Sequence, residues 1–232
     1  MKKVLLVAVA ILMLGSVSFG QDVVPGLAAG SKALLFSFSG FSFVGAGTFD
    51  GGFGAKYYLS ESMAIRGGIQ FTSASVTNSA NPPTGQSGID GSQSATAIGV
   101  SGAVELHLGK GRVSPYLGGG VMFTTTSTEF KPIVTGVPPL TQTTTKNSNG
   151  GETINGTNYQ GGTTFMVYGL AGFEFFLYKE LSLAGEYRVG FASTSRKDQE
   201  FNNGTTTTTT KLGSSSVIGI TSQGTLTLGV YF

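Results

Sequence analysis

From about Ala33 onward, apolar residues recur at every second position, in segments separated alternately by short and long polar breaks. A period of two is the signature of half-exposed β-strands. The first runs from about Ala33 to Val44, with a slip of phase near Gly40 that a glycine bulge explains. In the second, Phe53, Ala55, Tyr57 and Leu59 share a face; in the third, Ile65, Gly67, Ile69 and Phe71 lie opposite Arg66, Gly68, Gln70 and Thr72. The fourth sets Ile98, Val100, Val104, Leu106 and Leu108 against Gly99, Ser101, Ala103, Glu105 and His107, and the fifth aligns Leu117, Val121 and Phe123. The sixth alternates Phe165, Val167, Ala171, Phe173, Phe175 and Leu177 with Met166, Tyr168, Leu170, Gly172, Glu174 and Phe176. In the seventh, Leu181, Leu183, Tyr187, Val189 and Phe191 face away from Ser182, Ala184, Glu186, Arg188 and Gly190, and the eighth reaches Phe232. Each is about 10 to 14 residues, enough for a tilted strand to span a bilayer, which takes about 9 to 11.

Alternation alone does not say which face meets water. The second face would need to be roughly a quarter charged if it were solvated, yet it is built of Gly, Ser, Ala and Thr. Its strand charges are Lys56, Arg66 and Arg188 against Glu105, Glu174 and Glu186, which cancel. That suits the narrow interior of an eight-stranded barrel, where unpaired charge is costly and small side chains fill the space. The apolar face then meets lipid. The pattern predicts an all-β, eight-stranded antiparallel up-and-down transmembrane β-barrel, in which the last strand pairs with the first so that no edge is left in hydrocarbon.

Composition agrees: charged residues are only 11%, against 37 glycines and 40% hydrophobic residues. The segment "MKKVLLVAVAILMLGSVSFG" has two lysines, a short apolar run and small residues before Gln21, as a secretory signal peptide does. Removing Lys2 and Lys3 from the 14 basic residues leaves as many as the 12 acidic ones, and a neutral chain has nothing to draw it to nucleic acid. The expected organisation is a signal peptide over 1–20, a flexible periplasmic lead-in over 21–32 and a barrel over 33–232.

Candidate chemistry is sparse. There is no Cys, and the one His, His107, points inward near a short turn, while Asp22, Asp50, Asp90 and Asp198 fall in the N-terminal segment or in loops, too far for a catalytic triad. "GLAAGSK" has its Gly, Lys and Ser in the wrong order for a phosphate loop. No catalysis, cofactor or metal site is expected. The long Thr-rich breaks, including Thr126 to Gly161 and the tract Thr205 to Thr210, read as solvated, mobile loops.

The segments "LTLGVYF", "YYLSESMAIRGG" and "VSPYLGGGVMF" resemble the small outer-membrane β-barrel proteins of Gram-negative bacteria, of the OmpA-transmembrane, OmpX and OmpW kind. The resemblance implies a cell outer membrane location, periplasmic termini, short periplasmic turns and long outer loops. It also implies that Leu226, Leu228, Gly229, Val230 and Phe232 form an assembly signal read by the outer-membrane insertion machinery. The expected protein is a monomer held in outer-membrane lipid. Its leading role is that of a porin-like cell-envelope component whose lumen is closed by the network of Lys56, Arg66, Glu105, Glu174, Glu186 and Arg188. Two alternatives stay open: a narrow passive channel for small, apolar solutes lined by Met122, Met166, Tyr168 and Leu170, and an adhesin that binds a surface ligand through its Thr-rich loops.

Overall fold

A computed structural model describes residues 27–39 and 48–232. The signal peptide, the first part of the lead-in, the slip near Gly40 and most of the first loop lie outside the described residues. All regular elements among those residues are strands. Eight form the barrel: β1 (Lys32–Ser39), β2 (Thr48–Tyr58), β3 (Met63–Asn78), β4 (Gly91–His107), β5 (Val113–Lys131), β6 (Gly162–Tyr178), β7 (Leu181–Arg196) and β8 (Ser214–Tyr231). Each pairs antiparallel with its neighbours in sequence, and β8 closes the ring on β1 with Ala33 opposite Tyr231 and Leu35 opposite Gly229. The backbone amide of Phe232 adds one more bond to the carbonyl of Lys32, 3.0 Å.

Among the described residues the phase of the strands follows the sequence pattern. Phe53, Ile69, Val100, Val121, Phe173 and Val189 are exposed on the outside, while Lys56, Arg66, Glu105, Tyr168, Glu174 and Glu186 face the lumen. Exposed apolar side chains over a whole girdle would be costly in water, and their solvent is the hydrocarbon of a membrane. Asp50 falls within β2 rather than in a loop.

Two features differ from the sequence expectation. First, β3 to β8 run 16 to 19 residues, longer than the apolar pattern that marks them. Beyond the last apolar rung the ladder goes on through Ser and Thr, whose backbones pair as well as those of Val and Phe but whose side chains give no alternation. Second, the long breaks carry structure. In 132–161, Thr144–Lys146 pairs with β5 at Glu129 and Phe130 and with Gln199–Asn202 of the β7–β8 loop, which itself pairs with Thr207–Thr210. The hairpin Glu152–Ile154/Thr157–Tyr159 turns back toward the barrel mouth, with Ile154 buried against Ala74 of β3 and Ala95 of β4.

The lead-in is likewise less free than expected. The amide of Gly30 donates to the carbonyl of Tyr58 (2.8 Å), and Leu27 is buried with Leu35, Tyr58, Ala64, Phe176 and Tyr231 in an apolar cluster that fills the short-turn end of the lumen.

Candidate functional site: the lumen layer

Above that cluster, in the half of the barrel nearer the short turns, the lumen is crossed by charge. Inward phase on β2, β3, β4, β6 and β7 brings together Lys56, Arg66, Glu105, Glu174, Glu186 and Arg188. Lys56 Nζ sits 2.8 Å from Glu105 Oε2 and 3.1 Å from Glu174 Oε2. Arg66 reaches Glu105 with Nη1 at 2.8 Å and Glu186 with Nη2 at 2.6 Å, and Arg188 Nε lies 2.5 Å from Glu186 Oε1. The result is one continuous chain, Glu174–Lys56–Glu105–Arg66–Glu186–Arg188, in which cations and carboxylates alternate.

Two of these links span the lumen. β2 and β6 are four strands apart in the ring of eight, as are β3 and β7, so Lys56–Glu174 and Arg66–Glu186 join opposite walls. The sequence places Glu174 and Arg188 on adjacent strands; their ion partners are instead Lys56 and Glu186.

All six side chains are nearly removed from solvent, and such burial is tolerable only where each charge is paired and its remaining lone pairs are satisfied. Hydroxyl groups meet that need for Glu174 and Glu186, while Glu105 Oε1 has only its ion pair with Arg66. Tyr231 Oη donates to Glu174 Oε1 at 2.6 Å and Ser182 Oγ donates to the same atom at 2.5 Å. Tyr116 Oη donates to Glu186 Oε2 at 3.1 Å. The guanidinium of Arg188 stacks 5.0 Å above the Tyr168 ring, adding a cation–π contact. Sequence reading singled out the charges and missed these hydroxyls, although the alternation already turns Tyr231 and Ser182 inward.

His107 belongs to the same layer and has closer company than its sequence position suggests. Its Nδ1 lies 2.8 Å from Ser114 Oγ, and its Nε2 lies 3.2 Å from both Glu105 Oε2 and Tyr58 Oη. A Ser, a His and a Glu thus stand in a row, but Ser114 is fully buried and its hydroxyl proton goes to the carbonyl of Gly109 at 2.7 Å. The Ser114 oxygen must then accept from His107 Nδ1–H. A hydroxyl so engaged has neither access to a substrate nor a base aimed at it. The row ties the β4–β5 turn to the ion layer.

Toward the long-loop end, Ala103, Tyr116, Met166, Tyr168, Leu170 and Ala184 form an apolar cluster on one side of the lumen, with Met122 packed against it. Beside it a cavity of about 30 Å³, bordered by Ser37, Arg66, Gln70, Ser101, Tyr168 and Arg188, has room for about one water. Among the described residues no three His, Cys, Asp or Glu side chains converge as a metal site requires. Outside the span, Lys110 beside Glu61 holds that carboxyl below its ordinary value by hydrogen bonding and charge; both side chains are exposed, so the pair adds little to stability.

A closed girdle, an apolar exterior and a charge-paired interior describe one class of protein, and the family model for the outer membrane protein beta-barrel domain matches residues 6–216. The chain belongs to this family. Three solved members of the wider class resemble it at low identity. A major outer membrane protein from Thermus thermophilus shares 13% identity over 87% of this chain and 99% of its own, with a TM-score of 0.48. Neisserial surface protein A shares 14% over 87% and 95%, TM-score 0.37, and the N-terminal barrel of Pseudomonas aeruginosa OprF shares 10% over 88% and 98%, TM-score 0.30. No curated protein matches the chain. Membership in the family places the barrel in the outer membrane.

Proposed function

We propose that this barrel is a cell-envelope component whose lumen is closed rather than conducting, with its short turns in the periplasm and its long loops at the cell surface. The observation that carries the reading is the pair of links between opposite walls, Lys56–Glu174 and Arg66–Glu186. An ion moving along the axis must displace charges that are already neutralised by each other at about 3 Å, in a space where water is scarce and the substitute solvation is poor. The apolar cluster around Leu27 and Phe176 blocks the same axis at the short-turn end. The chain would act as a monomer in the lipid, delivered by the signal peptide and inserted through Leu226, Leu228, Gly229, Val230 and Phe232.

The test is single-channel recording of the mature protein in planar bilayers. Glu105→Gln takes away the carboxylate shared by Lys56 and Arg66, so the layer loosens and leak current rises above that of the parent. Equal or lower conductance in the variant counts against a closed layer, and stable openings in the parent favour the narrow-channel role instead.

One observation supports a surface-binding role alongside closure. Among the described residues Thr207–Thr210 is paired on one side only, by Gln199–Asn202, and all four of its threonines are exposed. Such an edge can accept a strand from another chain. Loss of cell or surface attachment on deleting 203–211, with the barrel still folded, would establish that role; unaltered attachment would remove it.

A further inference from the structure

The outward faces of β4 and β5 change chemistry rung by rung. Val100 stands opposite Phe123 and Ile98 opposite Thr125; the next rungs are Thr96 with Ser127, Ser94 with Glu129, and Ser92 with Lys131. Rungs on one face are two residues apart, roughly 7 Å along the strand, or about 5 Å along the membrane normal at a tilt near 40°. With the hydrocarbon edge at Ile98, the hydroxyl rung lies about 5 Å beyond it and the first charged rung about 10 Å, at the depth of lipid headgroups.

The same outward row continues sideways across the loop strands. Ser94 stands opposite Glu129, Glu129 opposite Lys146, and Lys146 opposite Glu200. A groove of about 440 Å³ lies along this row, lined by Ser94, Thr96, Ser127, Lys146 and Lys197 and also by the carboxylates Glu129 and Glu200, which the neighbouring lysines pair. Of the three ammonium groups on this patch, Lys131 is paired with Glu129 at 2.7 Å and Lys146 loosely with Glu200 at 3.7 Å. Lys197 makes no ion pair among the described residues. Its Nζ folds back onto the wall and donates to Ser127 Oγ at 2.6 Å, so its charge stands at the hydroxyl rung.

We propose that this groove holds a phosphate of an outer-leaflet glycolipid headgroup. Lys197 supplies the opposing charge, Lys146 a second ammonium from its stretched pair, and the hydroxyls of Ser127, Thr96 and Ser94 the hydrogen bonds. A lipid fits better than a dissolved anion because the Thr96–Ser127 rung of the groove adjoins the Ile98–Thr125 rung at the edge of the apolar band: acyl chains against Ile98 and Phe123 leave a phosphate of the same molecule level with Lys197. The inference rests on the long-loop end facing the cell exterior, as proposed above.

The test uses the detergent-folded mature protein in native mass spectrometry, with diphosphoryl lipid A as the probe. One lipid should be retained; Lys197→Gln should lower that retention about tenfold, the scale of one charge-assisted hydrogen bond to phosphate. Lys197→Arg, which keeps the charge, should restore it, and Lys211→Gln, remote on the loop edge, should leave it unchanged. Retention that ignores Lys197→Gln overturns the proposal, as does inorganic phosphate binding the groove as tightly as the lipid does, which would make it a site for a soluble anion. Each variant is checked for the heat-dependent gel shift of a folded barrel. Labelling of Lys211→Cys by an impermeant maleimide on intact cells tests the orientation separately: without labelling the orientation fails, whereas labelling together with retention independent of Lys197 refutes the groove alone.

Discussion

Glycine on the lumen face of this barrel makes room for particular neighbours. A Cβ at Gly172 would fall 2.6 Å from the carbonyl oxygen of Gly185 and 2.7 Å from the Tyr116 ring; at Gly118 it would fall 2.1 Å from the carbonyl of Val104. Strong curvature brings backbones close on the concave side of a small barrel, and the bulky Tyr116 and Leu170 need what space is left. On the convex side Gly67 is idle: a Cβ there would meet nothing nearer than 3.8 Å. Gly172→Ala should therefore destabilise the barrel by about 1–3 kcal/mol, as overpacking does. Gly67→Ala should leave it unchanged or add about 0.5–1 kcal/mol, the usual penalty of glycine within a strand. Urea titration in detergent micelles, followed by the heat-dependent gel shift, measures both; equal effects would refute the distinction between the two faces. The sequence makes the phase of each glycine legible, since alternation alone turns Gly172 in and Gly67 out. It does not show which glycines are indispensable, because that depends on what stands across the lumen. The ion pairs were legible to the same degree: inward charges could be counted, but a reach from Lys56 to Glu174 depends on the barrel's diameter, which no local pattern encodes.

At the scale of elements, the strands were readable wherever they touch lipid, because only there does the environment differ between their two faces. Past the lipid edge the outward faces of β3, β4 and β5 turn polar while the inward faces keep small residues such as Ala74 and Ala95, so the alternation fades and the continuing ladder cannot be seen in the sequence. The loop hairpin Glu152–Ile154/Thr157–Tyr159 was hidden for a related reason: Ile154 is an isolated apolar residue in a polar stretch, and one residue has no period. Leu27 in the lead-in is the same case. The structure gives each a buried role, and Ile154 is 1% exposed against Ala74 and Ala95. Ile154→Ala should weaken docking of the hairpin by about 2–5 kcal/mol, within the range for removing a buried aliphatic side chain. Because the hairpin lies outside the ring of ladder bonds, hydrogen exchange over 152–159 should accelerate while the unfolding temperature of the barrel stays put. Fast exchange of this segment in the parent protein would mean that the loop is undocked from the start, as its composition alone suggests.

For the molecule as a whole, fold and solvent are inseparable: an exterior of Phe, Val, Ile and Leu requires hydrocarbon, hydrocarbon requires a closed ladder, and closure of eight strands leaves a narrow lumen in which unpaired charge is costly. The interior must then balance its own charges, and the three cations of the layer face three carboxylates. This balance yields a prediction that separates a specific ion layer from a merely obstructed tube. Glu105→Gln shifts the lumen by one charge toward positive, and Lys56→Gln shifts it by one toward negative. Each variant opens the same chain of pairs at an adjacent link, so both should leak, but through lumens of opposite bias. In a tenfold potassium chloride gradient, the reversal potential should move toward anion permeation in Glu105→Gln and toward cation permeation in Lys56→Gln. The field of a single unbalanced charge is strong in a narrow low-dielectric passage and weakens as salt screens it, so the separation between the two variants should shrink at molar salt. Leaks of identical selectivity in two folded variants would show that current passes elsewhere than through the layer of Lys56, Glu105 and Arg66.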